Sequence, residues 1–240
     1  AVRVATPAGI YTIGGMVKGA GMIEPLMATM LGFLTTDAAI DPVTLHRALV
    51  EVADDTFNAI TVDGECSTND TVFMLANGAS NVPIDTASYP FFVAGLRELC
   101  SGLAQEIVRG GEGATKLITV RVTGARSNNE AKQAARLMAN SPLVKTALHG
   151  GDPNWGRLVA VAGRAGVAFD LTRARVEIGP TVLFSDSTVF ADREPAAAEY
   201  LQGREVEITV NLGTGSNGTA MIWTCDFSAE YVHINADYRT

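Results

Sequence analysis

A threonine hydroxyl is a weak nucleophile unless a base sits beside it, and a threonine at a chain terminus can supply that base itself. Thr29 lies in "MVKGAGMIEPLMATMLGFLTTDA", residues 16–38, behind a lysine and several glycines. On spacing alone it reads first as a β-branched strand residue. The alternative chemistry is specific. Attack of its hydroxyl on the Ala28 carbonyl turns the peptide into an ester. Hydrolysis of that ester then leaves a free N-terminal threonine, with an α-amine whose ordinary pKa is about 7.7–8.0, so nucleophile and base share one residue. Such an attack needs a strained or exposed peptide, which small Ala28 and the nearby glycines permit. Gly14, Gly15, Gly19 and Gly21 are costly in regular structure, and the backbone there is expected to approach something closely.

The other polar clusters have plainer readings. Lys18, followed by Gly19, reads as a solvated charge, and Glu112 in "GGEGATK" as a glutamate in a turn after a helix. "DGECSTND", residues 63–70, is rich in turn formers. It reads either as a plain turn or, through Asp63 and Asn69, as support for a neighbouring site. "HGGDPNWGR" brings His149, Asp152 and Arg157 together; His149 reads as structural, because a threonine with its own amine needs no histidine. "NLGTGSNGTA" lacks the GK[ST] ending of a phosphate loop and opens no clear helix, so Gly213, Gly215 and Gly218 read as a hairpin loop. No three residues make a metal site, and no cofactor is implied.

These residues need elements to hold them. "AGIYTIGGMV" and "TMLGFLTTD" read as strands joined by the glycine-rich segment. "DPVTLHRALVEVADDTF" reads as a helix, with Asp41 as N-cap, Pro42 at the first helical position and a stripe of Leu45, Ala48, Leu49, Val52 and Ala53. "AITV" and "TVFMLAN" read as strands flanking the 63–70 turn. "YPFFVAGLRELCSGLAQEIVRGG" is a helix with Phe92, Leu96, Leu99, Leu103 and Ile107 on one face, ended by Gly110 and Gly111. Further on, "KLITVRVTG" is a strand and "NNEAKQAARLMANSP" a short helix stopped by Pro142. Short strands "RVEIG", "TVLF", "EVEITVNL" and "TAMIWTCDF" follow, with a small helix at "PAAAEYLQG". The pattern is that of a layered α/β or α+β protein, with a change of texture near residue 117. The end, "EYVHINADYRT", carries Tyr231, Val232, Ile234 and Tyr238 and is expected to be docked rather than frayed.

Composition narrows the function classes. The chain is 47% hydrophobic and 18% charged, which suits a buried core rather than disorder. A net charge of −8 with no Lys/Arg cluster argues against nucleic acid as a partner. Charges such as Glu24 and Asp37 interrupt every apolar run, so no membrane span is expected. Cys66, Cys100 and Cys225 are few, odd in number and widely spaced, which suits a reducing cytoplasmic compartment. The first residues, "AVRVATPAGIY", contain neither an initiating methionine nor a signal pattern. Either the terminus is processed or the chain is part of a longer polypeptide.

The segments "KGAGMIEPLMATML", "VDGECSTNDTV", "GEGATK", "VKTALHGGDPNWGR" and "EYVHINADYRT" together resemble the ornithine acetyltransferases, also called glutamate N-acetyltransferases, which cleave themselves. The motifs occur in the expected order over nearly the whole chain. The resemblance implies an N-terminal-nucleophile-like layered α/β domain over residues 1–116. A smaller C-terminal α/β domain, 117–240, would return its last residues to the active site. It implies cleavage between Ala28 and Thr29, and a ping-pong exchange in which N-acetylornithine acylates Thr29 before glutamate takes the acetyl group. It places Lys18, Thr29, Glu112, Asn235 and Thr240 around the amino-acid substrate. An ammonium such as Lys18 suits a substrate carboxylate, and Glu112 a substrate amine. Ala20, Glu24, Leu26 and the Glu65–Cys66 pair depart from the usual family pattern, and Glu24 adds a charge near the site.

By the same resemblance the chain corresponds to the end of an α chain, residues 1–28, and a whole β chain. The rest of the α chain, with the Thr-Gly pair that forms the oxyanion hole, would be a missing partner in an α2β2-type heterotetramer. The alternatives are a related self-cleaving amidase or aminopeptidase, in which water replaces glutamate, and a nucleotide-binding protein using the glycine-rich loops.

Overall fold

The structure, a computed structural model, describes residues 1–24, 30–67 and 69–237. It is a mixed α/β fold with two sheets, divided into the units Ala1–Gly110 and Gly111–Thr240. Ala28, Thr29 and Thr240 lie outside the described residues, as does Tyr238.

In the first unit, β1 (Val2–Thr6) and β2 (Gly9–Lys18) form an antiparallel pair whose turn is closed by the Thr6 hydroxyl donating to the Gly9 carbonyl. β3 (Leu31–Thr36) runs antiparallel to β2. Helix α1 (Pro42–Asp55) follows, and β4 (Thr71–Ala76) then adds parallel to β3, giving the order β1-β2-β3-β4. Helix α1 begins as its sequence dictates: the Asp41 carboxylate accepts the N–H groups of Val43 and Thr44 at 3.0 Å, with Pro42 at the start of the helix.

Helix α2 (Tyr89–Arg109) buries Phe92, Leu96, Leu99 and Ile107 against one face of this sheet, where Phe92 meets Tyr11 with ring centroids 5.9 Å apart. Glycine makes that approach close. A Cβ on Gly95 would collide with Val4, and one on Gly15 would press on Leu34 and Leu103. The opposite face alternates outward and stays open. Met16 is 69% and Leu75 65% exposed, and Phe33 stacks on Phe73 at 5.6 Å. Cross-strand register sets Met16, Phe33 and Phe73 in one row and Lys18, Leu31 and Thr71 in the next.

In the second unit, β5 (Leu117–Ala125) is followed by helices α3 (Asn128–Ala139), α4 (Pro142–His149) and α5 (Trp155–Gly163). Then come β6 (Arg175–Ile178), β7 (Thr181–Ser185), β8 (Thr188–Val189), α6 (Glu194–Tyr200), β9 (Glu205–Asn211), β10 (Gly218–Cys225) and α7 (Ala229–Asp237). The sheet order is β10-β5-β9-β6-β7-β8. Helix α3 packs on β5 and β10 and buries Ala131, Ala134, Ala135 and Met138; the three alanines are small enough to let helix and sheet come close.

Several local expectations are corrected. "AITV" forms no strand among the described residues; Phe57–Ala59 is a 3₁₀ turn, and Ile60 and Val62 are buried beyond it. Pro142 stops α3 and also begins α4, because the first helical position has no use for an N–H. The segment at 212–217 is not a hairpin loop. β9 and β10 flank β5, so the loop crosses the end of that strand, where Thr214 donates to the Gly124 carbonyl through both N–H and hydroxyl. The C-terminal segment is a helix that buries no side chain, with Val232 56% exposed. Its described anchors are polar groups and one ring contact, Phe227 on Tyr231 at 4.7 Å.

Candidate active site

The 63–70 turn grips the backbone on both sides of residues 25–29. Before them, the Asp63 carboxylate accepts the N–H of Met22 at 2.7 Å and of Ile23 at 3.0 Å. The Ile23 carbonyl in turn accepts from Val62 N–H at 2.7 Å and the Thr61 hydroxyl at 3.1 Å. Met22 sits at φ 57°, a left-handed conformation unusual for a side chain of its size. After the segment, Asp70 Oδ1 accepts Met30 N–H at 2.6 Å, and Thr71 N–H donates to the Met30 carbonyl at 3.0 Å. Carboxylates from the two ends of one turn thus anchor the chain on either side of the Ala28–Thr29 bond.

Lys18 ends β2, exposed, in the same cross-strand row as Leu31 and Thr71. Burial pushes the Asp70 carboxyl above its ordinary pKa, while the Met30 N–H and the charge of Lys18 pull in the opposite direction. Asn69 donates its own N–H to Ser67 within the turn. Asp70 went unnoticed in the sequence, although its place immediately before an apolar strand was a usable signal.

The second unit brings Glu112 and Asn235 together: Asn235 Nδ2 donates to Glu112 Oε2 at 2.9 Å and to the Tyr231 carbonyl at 3.0 Å. The loop carrying Glu112 is tied to the segment leading into α7. Ser228 Oγ donates to the Gly113 carbonyl at 2.6 Å. Gly113 has φ 67°, and a Cβ there would collide with the Tyr231 backbone, so both conformation and contact require glycine.

Behind this loop lies buried Asp226, which the sequence reading passed over. Its carboxylate accepts Thr115 N–H at 2.7 Å, Lys116 N–H at 2.8 Å and the Thr115 hydroxyl, and it pairs with His149 Nδ1 at 2.6 Å. Burial opposes its ionisation, but the Thr115 hydroxyl, His149 and the two backbone N–H groups together hold its pKa below the usual carboxylate value. Lys116 donates its ammonium to the carbonyls of Leu148 at 2.7 Å and Leu201 at 2.6 Å, and burial lowers its pKa against the pull of Asp226. His149 is therefore a brace for Asp226. Among the described residues no cluster of three or more His, Cys, Asp or Glu could hold a metal ion, and no helix is long and apolar enough to cross a membrane.

Two sheets layered with helices, and a turn whose carboxylates hold Met22, Ile23 and Met30 on either side of residues 25–29, describe a mixed α/β protein with one candidate site in each unit. Against known proteins, the ArgJ family model matches residues 1–240. A protein of Dehalococcoides mccartyi named "Arginine biosynthesis bifunctional protein ArgJ" is 49% identical over 234 residues, covering 96% of this chain and 57% of its own length. The Yarrowia lipolytica protein of the same name, designated mitochondrial, is 48% identical over 239 residues, covering 96% and 56%. The crystal structure of arginine biosynthesis bifunctional protein ArgJ from Bacillus halodurans superposes with a TM-score of 0.83 at 43% identity, covering 88% of this chain and 100% of that one. The chain belongs to the ArgJ family, the ornithine acetyltransferases. It spans little more than half the length of the two relatives compared by sequence.

Proposed function

We propose that this chain, completed by the remainder of its protein, transfers an acetyl group from N2-acetyl-L-ornithine to L-glutamate through an acetyl ester on Thr29. The observation that carries the reading is the two-sided grip of Asp63 and Asp70 on the backbone around Ala28–Thr29. A peptide held at both flanks is a good candidate for attack from within, because the ends cannot relax away from the reacting geometry. Cleavage forms an ester between the Ala28 carbonyl and Thr29 Oγ as the Ala28–Thr29 C–N bond breaks and the proton of the hydroxyl passes to the freed α-amine; water then hydrolyses the ester, releasing the Ala28 carboxylate and restoring the Thr29 hydroxyl.

In the transfer, the Thr29 amine takes the hydroxyl proton while Oγ attacks the acetyl carbonyl. The C–N bond to ornithine breaks, and the proton leaves on the departing amine. The amine of glutamate then attacks the ester, giving N-acetylglutamate and restoring the hydroxyl. Lys18 binds a substrate carboxylate, Glu112 with Asn235 the cationic end of ornithine, and Thr240 further polar groups. The oxyanion hole comes from the missing α-chain part. The open apolar face with Met16, Phe33, Phe73 and Leu75 supports incompleteness, since a face of this kind is ordinarily covered in a finished protein. The working assembly is an α2β2 heterotetramer in the cytoplasm.

The test uses the full-length protein with N-acetylornithine and glutamate, following N-acetylglutamate and free acetate. Transfer should exceed hydrolysis. Acetate as the main product would make the protein an amidase, and no turnover of N-acetylornithine would overturn the assignment.

A further inference from the structure

Helix α7 buries no side chain, which leaves polar ties and the Phe227–Tyr231 ring contact to place it. Ser228, buried at the residue before the helix, donates Oγ to the Gly113 carbonyl at 2.6 Å. Two residues earlier, Asp226 takes the N–H groups of Thr115 and Lys116. Within the first turn of the helix, the Tyr231 backbone lies where a Cβ on Gly113 would stand. In the last turn, Asn235 Nδ2 reaches Glu112 Oε2 at 2.9 Å. Glu112 itself sits in a turn closed by Ala114 N–H donating to the Gly111 carbonyl at 3.0 Å, with Gly113 beside it at φ 67°. Glycine has the widest choice of backbone conformation, so this turn keeps one shape only while its neighbours hold it.

We propose that Ser228 is the positioning residue of the pair Glu112–Asn235. It acts on Glu112 through the Gly113 carbonyl and on Asn235 through the start of α7. The inference rests on reading that pair as the site for the cationic end of ornithine. A hydroxyl has one proton to donate, and here it goes to a carbonyl inside the fold, so Ser228 contributes no contact to the substrate. It fixes where the carboxylate and the amide stand, and with that the length of side chain whose ammonium they meet. Without this tie Gly113 relaxes and Glu112 no longer stands at one place. Binding of a cationic donor then weakens while the chemistry on the acetyl group does not.

Ser228→Ala removes the hydroxyl and little volume. In the full-length protein, KM for N-acetylornithine should rise about threefold to tenfold, the range of one neutral hydrogen bond, with kcat held within about twofold. KM for N-acetylnorvaline, in which hydrogen replaces the distal amine, should stay within about twofold. In a Glu112→Gln background, Ser228→Ala should add less than about twofold, because the charge it positions is gone. Equal losses on the two donors, a defect confined to kcat, or full additivity with Glu112→Gln would overturn the inference. If Ser228→Ala does not fold, Ser228→Cys carries the same donor comparison, since its thiol fills the same space and donates only weakly. A wild type with equal KM for the two donors would sink the reading of Glu112 itself. A wild type that prefers N-acetylornithine, with a Ser228→Ala protein that keeps the full preference, sinks this inference alone.

Discussion

Replacing Asp226 by alanine should be among the most damaging single changes in the second unit, although Asp226 is not itself a candidate substrate contact. The carboxylate is fully buried. It satisfies two backbone N–H groups, those of Thr115 and Lys116, as well as the Thr115 hydroxyl and His149. Leaving a buried donor without a partner costs about 1–3 kcal/mol. Two stranded N–H groups, with partial relief from water, give a loss of about 3–5 kcal/mol for Asp226→Ala. Asp226→Asn should lose less, about 1–3 kcal/mol, since its amide oxygen can still accept from both N–H groups. Urea unfolding of the full-length protein at neutral pH reads the effect as a lower midpoint with an unchanged m-value. Faster amide exchange at Thr115 and Lys116 should accompany it. An Asp226→Ala protein within about 0.5 kcal/mol of wild type, the range of an ordinary surface change, would refute the claim that this carboxylate holds the Glu112 loop.

Acid should expose the same group. The folded pKa of Asp226 is depressed, so its contribution is present above the unfolded value of about 3.9 and is lost as pH falls through the lower folded value. Urea midpoints of wild type and Asp226→Asn should therefore converge below about pH 4, and parallel curves down to pH 2 would contradict this. Glu112→Gln keeps an acceptor for Asn235 but removes the charge; kcat/KM for N-acetylornithine should fall about tenfold to a hundredfold. A donor lacking the distal amine should suffer less, and cleavage at Ala28–Thr29 should proceed normally; equal kinetics for both donors would make Glu112 a turn residue only.

Elements with a local cause were legible in the sequence. Helix α1 announced itself through Asp41 and Pro42, and α2 through its apolar face. Where burial goes with little pairing, local reading overshot: "AITV" is buried, and its pairing among the described residues is a β-bridge at Ile60 rather than a strand. β1 escaped because "VRVAT" is short and half polar, and α4 because Pro142 was taken only as a stop. The glycines at 14 and 15 promised a close backbone approach, and at Gly15 the close neighbours are Leu34 and Leu103. For the candidate site, residue types were legible and their partners were not. Asn235 meets Glu112 across 123 positions, and Asp226 meets Thr115 across 111, separations at which no local pattern speaks. A lone carboxylate closing the apolar run "TAMIWTCDF" was the one available hint that Asp226 is buried for a reason.

The central claim is that Thr29 carries the acetyl group. Full-length protein mixed with N-acetylornithine, without glutamate, and quenched in acid within milliseconds should yield a peptide that begins at Thr29 and is heavier by one acetyl group. The adduct should disappear when glutamate is added before the quench. An acetyl group on a lysine or cysteine instead, or a single unbroken chain with no new terminus at Thr29, would contradict the account.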